Sequence, residues 1–414
     1  MIDRPDPTET AKSFRRGTHR TVAPEATVER VSRLAPVLGI TRVANVTGLD
    51  VIGLPVVMVT RPNSRSLAVS QGKGLDLAAA KASGLMEAAE LWHAERIDRP
   101  LRLATHNEVR FERKVADLAR LPRLSIGSFH DELRMLWIEG SDLFTGEPRL
   151  LPFETVHIDT TQPLPPGSGC FPLTSNGLAS GNHPLEAVIH ALCELIERDS
   201  TTLWQLAAPE RRAETRLDLA SVDDPSCREV LAAFERAGVA LGVWETTSDL
   251  GVPAYRALIA DREADPFHPR GGGGGYGCHP AREVALLRAI TEAAQGRLTS
   301  IAGARDDMPK RSYEAWHDPD GLETLRRDLV DGAPGRRFQE APSFDGASFE
   351  QDAAWLLGRL AAAGLTEAVL VDLTHPSLGL PVVRVVVPGL EAPREILGWT
   401  PGERARAAAE RRSP

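Results

Sequence analysis

The hydrophobic pattern changes period several times along the chain. Residues 41–60 and 67–69 are rich in valine and other β-branched residues, which predicts two or three strands. Residues 77–95 are dense in Ala and Leu and predict a helix. Residues 135–139 and 150–156 read as a hairpin with a long loop. A loop rich in Pro, Gly and Ser at 163–169 leads to Thr174–Gly177 and then a helix from Pro184, since proline's missing N–H costs nothing in a first turn. Further strands are expected at 239–244, 253–259, 368–372 and 382–387, and helices at 227–237, 283–298 and 349–363. Strands and helices do not alternate strictly. The pattern therefore favours an α/β fold of mixed, largely antiparallel sheets with packed helices over a doubly wound parallel sheet. The consecutive glycines Gly271–Gly275 read as a mobile loop, because glycine maximises backbone freedom, and as a candidate peptide lid.

Composition narrows the function classes. At 414 residues and 42% hydrophobic, the chain has material for two or three core-sized units or one large domain with insertions. The net charge of −9 argues against a sequence-independent nucleic-acid binder, which needs a broad basic face. Cys170, Cys193, Cys227 and Cys278 lie far apart, which fits a reducing compartment better than a disulfide framework or zinc site. The start is polar, and the apolar region 43–59 is broken by Asn45, Asp50 and Pro55. A cytoplasmic protein with no membrane span is expected.

Paired acids carry the chemistry. On a helix, Glu87 and Glu90 share a face, as do Glu194 and Glu197, and Glu186 lies roughly 20° from Glu197 on the same wheel. The bland reading is solvated faces, with Arg198 and Arg297 as surface partners. Against it stand the neighbours Leu85, Ala88, Ala89, Leu192, Leu195 and Ile196, which belong in a core and would strand charge indoors unless a cation arrives. Mg²⁺, which takes few protein ligands and prefers phosphate oxygens, fits that demand. Gln71-Gly72-Lys73-Gly74 stands at a strand-to-helix junction, where glycines let backbone N–H groups approach an anion, but it is not a Walker A loop. His183, His190 and His279 have no triad or H-E-x-x-H spacing and are expected to be structural, with Cys193 as packing.

Together these phrases resemble the YcaO family. The likeness rests on Gly72-Lys73-Gly74, on Ser83, Glu87 and Glu90, on residues 175–182 followed by Glu186 and 193–199, on 277–280, on 291–297 and on 381–390. It implies an ATP site in which Glu87, Glu90, Glu194 and Glu197 hold Mg²⁺ while Arg198, Arg297 and Lys73 neutralise phosphate. Ser83, Asn182, Glu186 and Gln295 fill binding or supporting roles, and Arg20 and Thr27 reach in from the N-terminal side. The implied catalytic domain is 20–392, between a loose segment 1–19 and a tail 393–414. The implied chemistry is ATP-dependent activation of a peptide or protein backbone amide by phosphorylation of its oxygen. The first acid motif is followed by Leu91, where many members carry Arg, so one phosphate or structural contact is absent; the Pro-x-Pro-x-Pro tail of many azoline formers and a leader-binding module are also missing from the pattern. The expectation is therefore thioamide formation with an external sulfur donor and a TfuA-like partner. The alternatives are azoline formation with a leader-binding partner, a non-catalytic ATP-binding subunit, and a dinuclear carboxylate hydrolase. A homodimer is also expected.

Overall fold

A computed structural model describes residues 9–263, 270–316 and 318–410. Helix α1 (Pro24–Leu38) precedes an antiparallel sheet of β1 (Arg42–Asn45), β2 (Val56–Thr60) and β3 (Val69–Lys73), in that order, with Val57 opposite Gly72. Helix α2 (Leu77–Glu95) then folds back along β3. Its start is capped by the Asp76 side chain, which accepts the Ala79 N–H at 2.8 Å and so satisfies one of the orphan donors of the first turn. A Cβ at Gly72 would run into Ala80 O and Gly84 N, so glycine here lets a strand and a helix meet backbone to backbone.

Next come β4 (Leu101–Ala104), α3 (His106–Val109), β5 (Met135–Asp142), β6 (Pro148–Pro152), β7 (Leu178–Ser180) and α4 (Pro184–Leu206). After α5 (Pro209–Glu214), β8 (Leu217–Asp218) and α6 (Pro225–Arg236), a second antiparallel sheet forms from β9 (Val239–Glu245), β10 (Ala254–Asp261) and β11 (Gly273–Cys278). Helix α7 (Arg282–Ala302) folds back along β11. The chain continues through α8 (Lys310–Trp316), α9 (Pro319–Asp331), β12 (Arg336–Arg337), α10 (Phe349–Ala362), β13 (Val369–Asp372), β14 (Val382–Val386) and α11 (Glu403–Glu410). The largest sheet runs β4-β5-β13-β14-β7, with β6 also on β5, all antiparallel, while β12 and β8 form a short parallel pair. This is the mixed, largely antiparallel α/β architecture that the alternation of elements predicted. One apolar core packs α4 and α10 on β14, and another packs α7 on β9–β11. No helix among the described residues is long and apolar enough to cross a membrane.

Two expectations need correction. The glycines of 271–275 do not make a mobile loop or lid: from Gly273 on they belong to β11, paired with β10. Gly273, Gly275 and Gly277 alternate onto the α7 side, where a Cβ would strike Ala293, Ala289 and Ala285. The run is a packing surface, with glycine selected for close approach rather than for freedom. Of the segment 1–19 expected to be loose, residues 1–8 lie outside the described residues, and residues 9–19 are tied to the rest of the chain. Ala11 bridges Ser348, and the Thr10 N–H and hydroxyl donate to Glu350 at 2.9 and 2.8 Å. Lys12 is buried against Asp352 at 2.6 Å. Its ammonium supplies the cation beside His19, His279 and Asp352, whose candidate ligand atoms lie within 4.8 Å of one another. His279 Nδ1 accepts the Ala281 N–H at 3.0 Å, which leaves its proton on Nε2 and makes that cluster a poor metal site.

Candidate functional site

Three helices each fold back along the strand before them, and each returns an acid to that strand's backbone. Glu87 of α2 accepts the Gln71 N–H at 3.3 Å. Glu292 of α7 accepts the Tyr276 N–H, also at 3.3 Å and also sixteen residues earlier in the chain. Glu194 of α4 accepts the Gly177 N–H at 3.3 Å. Glu90, one turn beyond Glu87, accepts from Ser180 on β7 through the N–H at 2.9 Å and the hydroxyl at 2.6 Å. The edge strand β7 therefore joins the acids of α2 to those of α4.

Cations stand among these carboxylates. Lys73 Nζ is 2.6 Å from Glu292 Oε2. Arg198 Nη2 lies 3.8 Å from Glu194 and 3.7 Å from Glu197. The balance still leaves too much negative charge out of water. Burial, with the neighbouring acids adding to it, pushes Glu90 up to about 8. Burial likewise raises Glu87 and Glu197 to about 7, against the pull of Lys73 and Arg305 on the first and Arg198 on the second. Glu292 alone goes the other way: Lys73 and Arg198 outweigh its burial and lower it. Carboxylates that hold protons near neutrality are acids awaiting cations. Among the described residues they do not close to three ligand atoms within 4.8 Å.

A second cluster adjoins the first. Glu186, at the start of α4, accepts from Asn182 through its N–H at 2.7 Å and its side-chain amide at 3.3 Å, and from the Thr21 N–H of the N-terminal segment. Thr27 donates to Asn182 Oδ1 at 3.0 Å. Arg20 is half-buried; loss of water around its guanidinium, and Arg288 nearby, lower it from the usual guanidinium range against the pull of Glu186, and its Nε has no partner among the described residues. Arg288 Nη2 sits 2.8 Å from His190 Nε2, and its own Nε is also unpartnered. Buried guanidinium donors without acceptors are what an anion such as phosphate requires.

The expected residues thus largely gather: Arg20, Thr27, Asn182 and Glu186 in one cluster, and Lys73, Glu87, Glu90, Glu194, Glu197 and Arg198 in the other. Gln295 Nε2 donates to Gln71 Oε1 at 3.4 Å, beside the strand that carries Lys73. Ser83 is half-buried one turn before Glu87 on α2. Arg297 does not join them. Its guanidinium is fully buried between Asp50 at 3.3 Å and Asp261 at 2.7 Å, so it ties α7 to the β1–β2 connection and to β10. Gly72 also differs from expectation, because its missing side chain accommodates α2 rather than an anion.

Sequence reasoning placed Glu292 in the 291–297 motif without giving it a role, and missed Arg288, Arg305 and Arg384. Arg305 lies beside Glu87, and Arg384 of β14 lies beside Glu194, its pKa pulled down to about 10 by burial. Glu292 had a legible signal, since Gly277 meets Ala285 and Ala289 as Gly72 meets Ala80 and Gly84. The two strand–helix units are one design used twice.

A family model described as YcaO cyclodehydratase, ATP- and Mg²⁺-binding, matches residues 71–391. The chain belongs to the YcaO family. ATP and Mg²⁺ are accordingly its cofactors. It is 40% identical over 382 residues to a Rhizobium leguminosarum bv. trifolii protein described as an uncharacterized protein in the tfuA 3′ region, covering 90% of this chain and 88% of that one. An uncharacterized protein of Methanothermobacter thermautotrophicus is 33% identical over 380 residues, covering 89% and 94%. Among solved structures, YcaO from Methanopyrus kandleri bound with AMPPCP and Mg²⁺ superposes with a TM-score of 0.73 and 26% identity, covering 92% of this chain and 95% of that one. A heterocyclase in complex with substrate and cofactor gives a TM-score of 0.75 at 24% identity, covering 97% of this YcaO protein and 56% of the heterocyclase chain, a likeness of fold.

Proposed function

We propose that this YcaO protein uses ATP and Mg²⁺ to activate a peptide or protein backbone amide, and that its product is a thioamide made with an external sulfur donor and a TfuA-like partner. The single observation that carries the reading is the set of acids on α2 and α4 that burial leaves short of cations, Glu87, Glu90 and Glu197 above all. Glu87, Glu90, Glu194 and Glu197 would hold the Mg²⁺ ions, whose contribution is to neutralise the phosphates of ATP. Lys73, Arg198, Arg288 and Arg20 would hold and orient the triphosphate, placing positive charge around the transferring phosphoryl group. Hydrosulfide adds to the amide carbon, and the resulting oxyanion attacks the γ-phosphorus of ATP, releasing ADP. The C–O bond then breaks, phosphate leaves with the former amide oxygen, and loss of the sulfhydryl proton gives C=S. Amide oxygen is a poor leaving group, and phosphorylation supplies the good one.

The thioamide branch is supported by the 40% identical relative described by its place in a tfuA 3′ region. Azoline formation is the second reading, favoured by the fold shared with a heterocyclase. Mass spectrometry of a candidate peptide incubated with the protein, Mg²⁺–ATP, sulfide and a TfuA-like protein separates the two. A gain of about 16 mass units, oxygen to sulfur, is the expected result, whereas a loss of about 18 marks ring closure. Nucleotide binding with neither ADP release nor either mass change would overturn both in favour of a non-catalytic ATP-binding subunit.

A further inference from the structure

The face of the β9–β11 sheet turned away from α7, which α9 covers in part through Leu325 and Leu329, carries a row of alternating aromatic and arginine side chains. Tyr276 on β11, Arg256 on β10 and Trp244 on β9 are direct cross-strand partners, and Trp244 in turn bridges Arg216. All four are half-buried. Trp204, near the end of α4, closes over the row: the Arg256 guanidinium sits 5.3 Å from its ring and Arg212 5.4 Å from it. Arg216 lies 5.6 Å over Trp244, and the two tryptophan rings are 6.4 Å apart.

This row starts at the reaction centre. The Arg198 guanidinium, which faces Glu194 and Glu197, is 5.7 Å from the Tyr276 ring, while the Tyr276 backbone N–H serves Glu292. A molecule lying on the row with one end at Arg198 is continuous with whatever reacts there. Two of the arginines lack a counter-ion among the described residues. Arg256 and Arg212 form no ion pair among the described residues, and their Nε atoms are buried without acceptors. Arg216 donates to the backbone oxygens of Asp328 and Leu329 rather than to a carboxylate. One acid, Glu395, stands beside Tyr276, held by Gln205 at 2.9 Å. Guanidinium groups stacked on aromatic faces stay desolvated and pre-oriented, which sharpens selection for carboxylate over a hydrated cation.

We propose that this row is the track for the substrate peptide, and that it selects acidic residues flanking the amide to be modified. The inference rests on the peptide-modifying reading above. From Tyr276 to Arg216 the row crosses three strand spacings, about 14 Å, enough for roughly four residues of extended peptide. The arginines then read carboxylates at alternate positions while the aromatic rings support the backbone between them.

The test uses fluorescein-labelled octapeptides of alternating Gly–Glu, Gly–Gln and Gly–Lys, titrated by anisotropy with the full chain at saturating Mg²⁺–AMPPCP. Nucleotide affinity is measured separately by calorimetry. The Gly–Glu peptide should bind at least about tenfold tighter than Gly–Gln, and weaken as salt rises. The R256E/R212E pair should reverse the order to favour Gly–Lys, and W204A should weaken the Gly–Glu peptide severalfold. Arg212→Glu alone, at the less buried end, should at least remove the preference. Mg²⁺–AMPPCP affinity should stay within about twofold in every variant. Equal affinity for the three peptides, no binding of any of them, or nucleotide affinity falling with the charge reversals would overturn the track. Failure of the unaltered protein to bind Mg²⁺–AMPPCP would overturn the catalytic reading instead.

Discussion

Lys73 Nζ lies 2.6 Å from Glu292 Oε2, and the contact joins β3 of the first strand–helix unit to α7 of the second. With the Gln71 contacts to Gln295 and Thr299, it links the two copies of the acid-returning design directly, and it holds Glu292 ionised while Glu87 and Glu197 keep protons toward neutrality. Lys73→Met should therefore act on the nucleotide site without breaking the fold. The expected result is a loss of about 10–100-fold in kcat/KM for ATP, on the order of 1.4–2.7 kcal/mol, with Tm changed by only a few degrees. Steady-state ADP release and a thermal melt measure both. Lys73→Arg should recover part of the loss, since charge is kept while its placement changes.

The pH response follows from the raised acids. Glu87 and Glu197 titrate near 7 and Glu90 near 8 in the folded protein, all above the ordinary carboxylate value of 4.5. The folded state thus binds more protons than the unfolded chain between about pH 4.5 and 8. The stabilisation is full below 4.5 and is lost as pH rises through 7 to 8. Without nucleotide, Tm should fall from pH 5 to 8.5. Mg²⁺ requires the ionised acids, so Mg²⁺–AMPPCP affinity should rise over pH 6 to 8, by up to about tenfold per unit for each proton released. Calorimetry in buffers of different ionisation enthalpy should show proton release near pH 7, and a flat affinity profile would contradict it.

Glu90→Gln separates stability from function. The amide can still accept from Ser180 but carries no charge to desolvate. Tm at pH 8 should rise, by on the order of 1 kcal/mol of stability, while Mg²⁺–AMPPCP affinity falls at least about tenfold. The pair Glu87→Gln/Glu194→Gln should abolish Mg²⁺–nucleotide binding altogether. Retained tight binding would show that the ions sit elsewhere.

Arg297 tests the one expected phosphate ligand that the fold has claimed for itself. Arg297→Met leaves Asp50 and Asp261 buried without their partner, which costs about 3–5 kcal/mol. Urea unfolding should show that loss. At low temperature, the folded fraction should bind Mg²⁺–AMPPCP with unchanged affinity.

Gly277→Ala tests the packing surface. A methyl there meets Ala285 O and Ala289 N, which are helix backbone and cannot swing aside. A loss of about 2–4 kcal/mol is expected, comparable to overpacking in a tight core. Gly303→Ala is a useful contrast: it has open space around it, and its cost comes only from its left-handed φ of 57°.

What was legible in the sequence was the part written in periodicity. The acid pairs of α2 and α4, the apolar residues around them and the antiparallel layering could be read because spacing fixes which residues share a face. The partners of those acids were harder. Arg288 and Arg305 are distant in sequence from Glu197 and Glu87, and only the fold brings their charges together. Gly271–Gly275 misled because glycine has two uses, freedom and close approach, and composition cannot tell them apart. The alternation of Gly273, Gly275 and Gly277 was the available clue, since a period of two is a strand's period. Arg297 misled for the converse reason: a motif fixes which residue is present, while the choice between phosphate and the carboxylates of Asp50 and Asp261 is made by the second sheet.

In each of its two sheet units, the strand before the helix turns one side onto the helix backbone, and on the second sheet the other side carries the half-buried Arg256 and Trp244. The inward side sets the carboxylates through main-chain donors such as the N–H groups of Gln71 and Tyr276, which every amino acid at those positions would supply. Substitutions on that other side, at Arg256 or Trp244, leave those donors where they are. The protein can therefore exchange one clientele for another by repainting one wall, while the machinery behind that wall stays registered to the backbone.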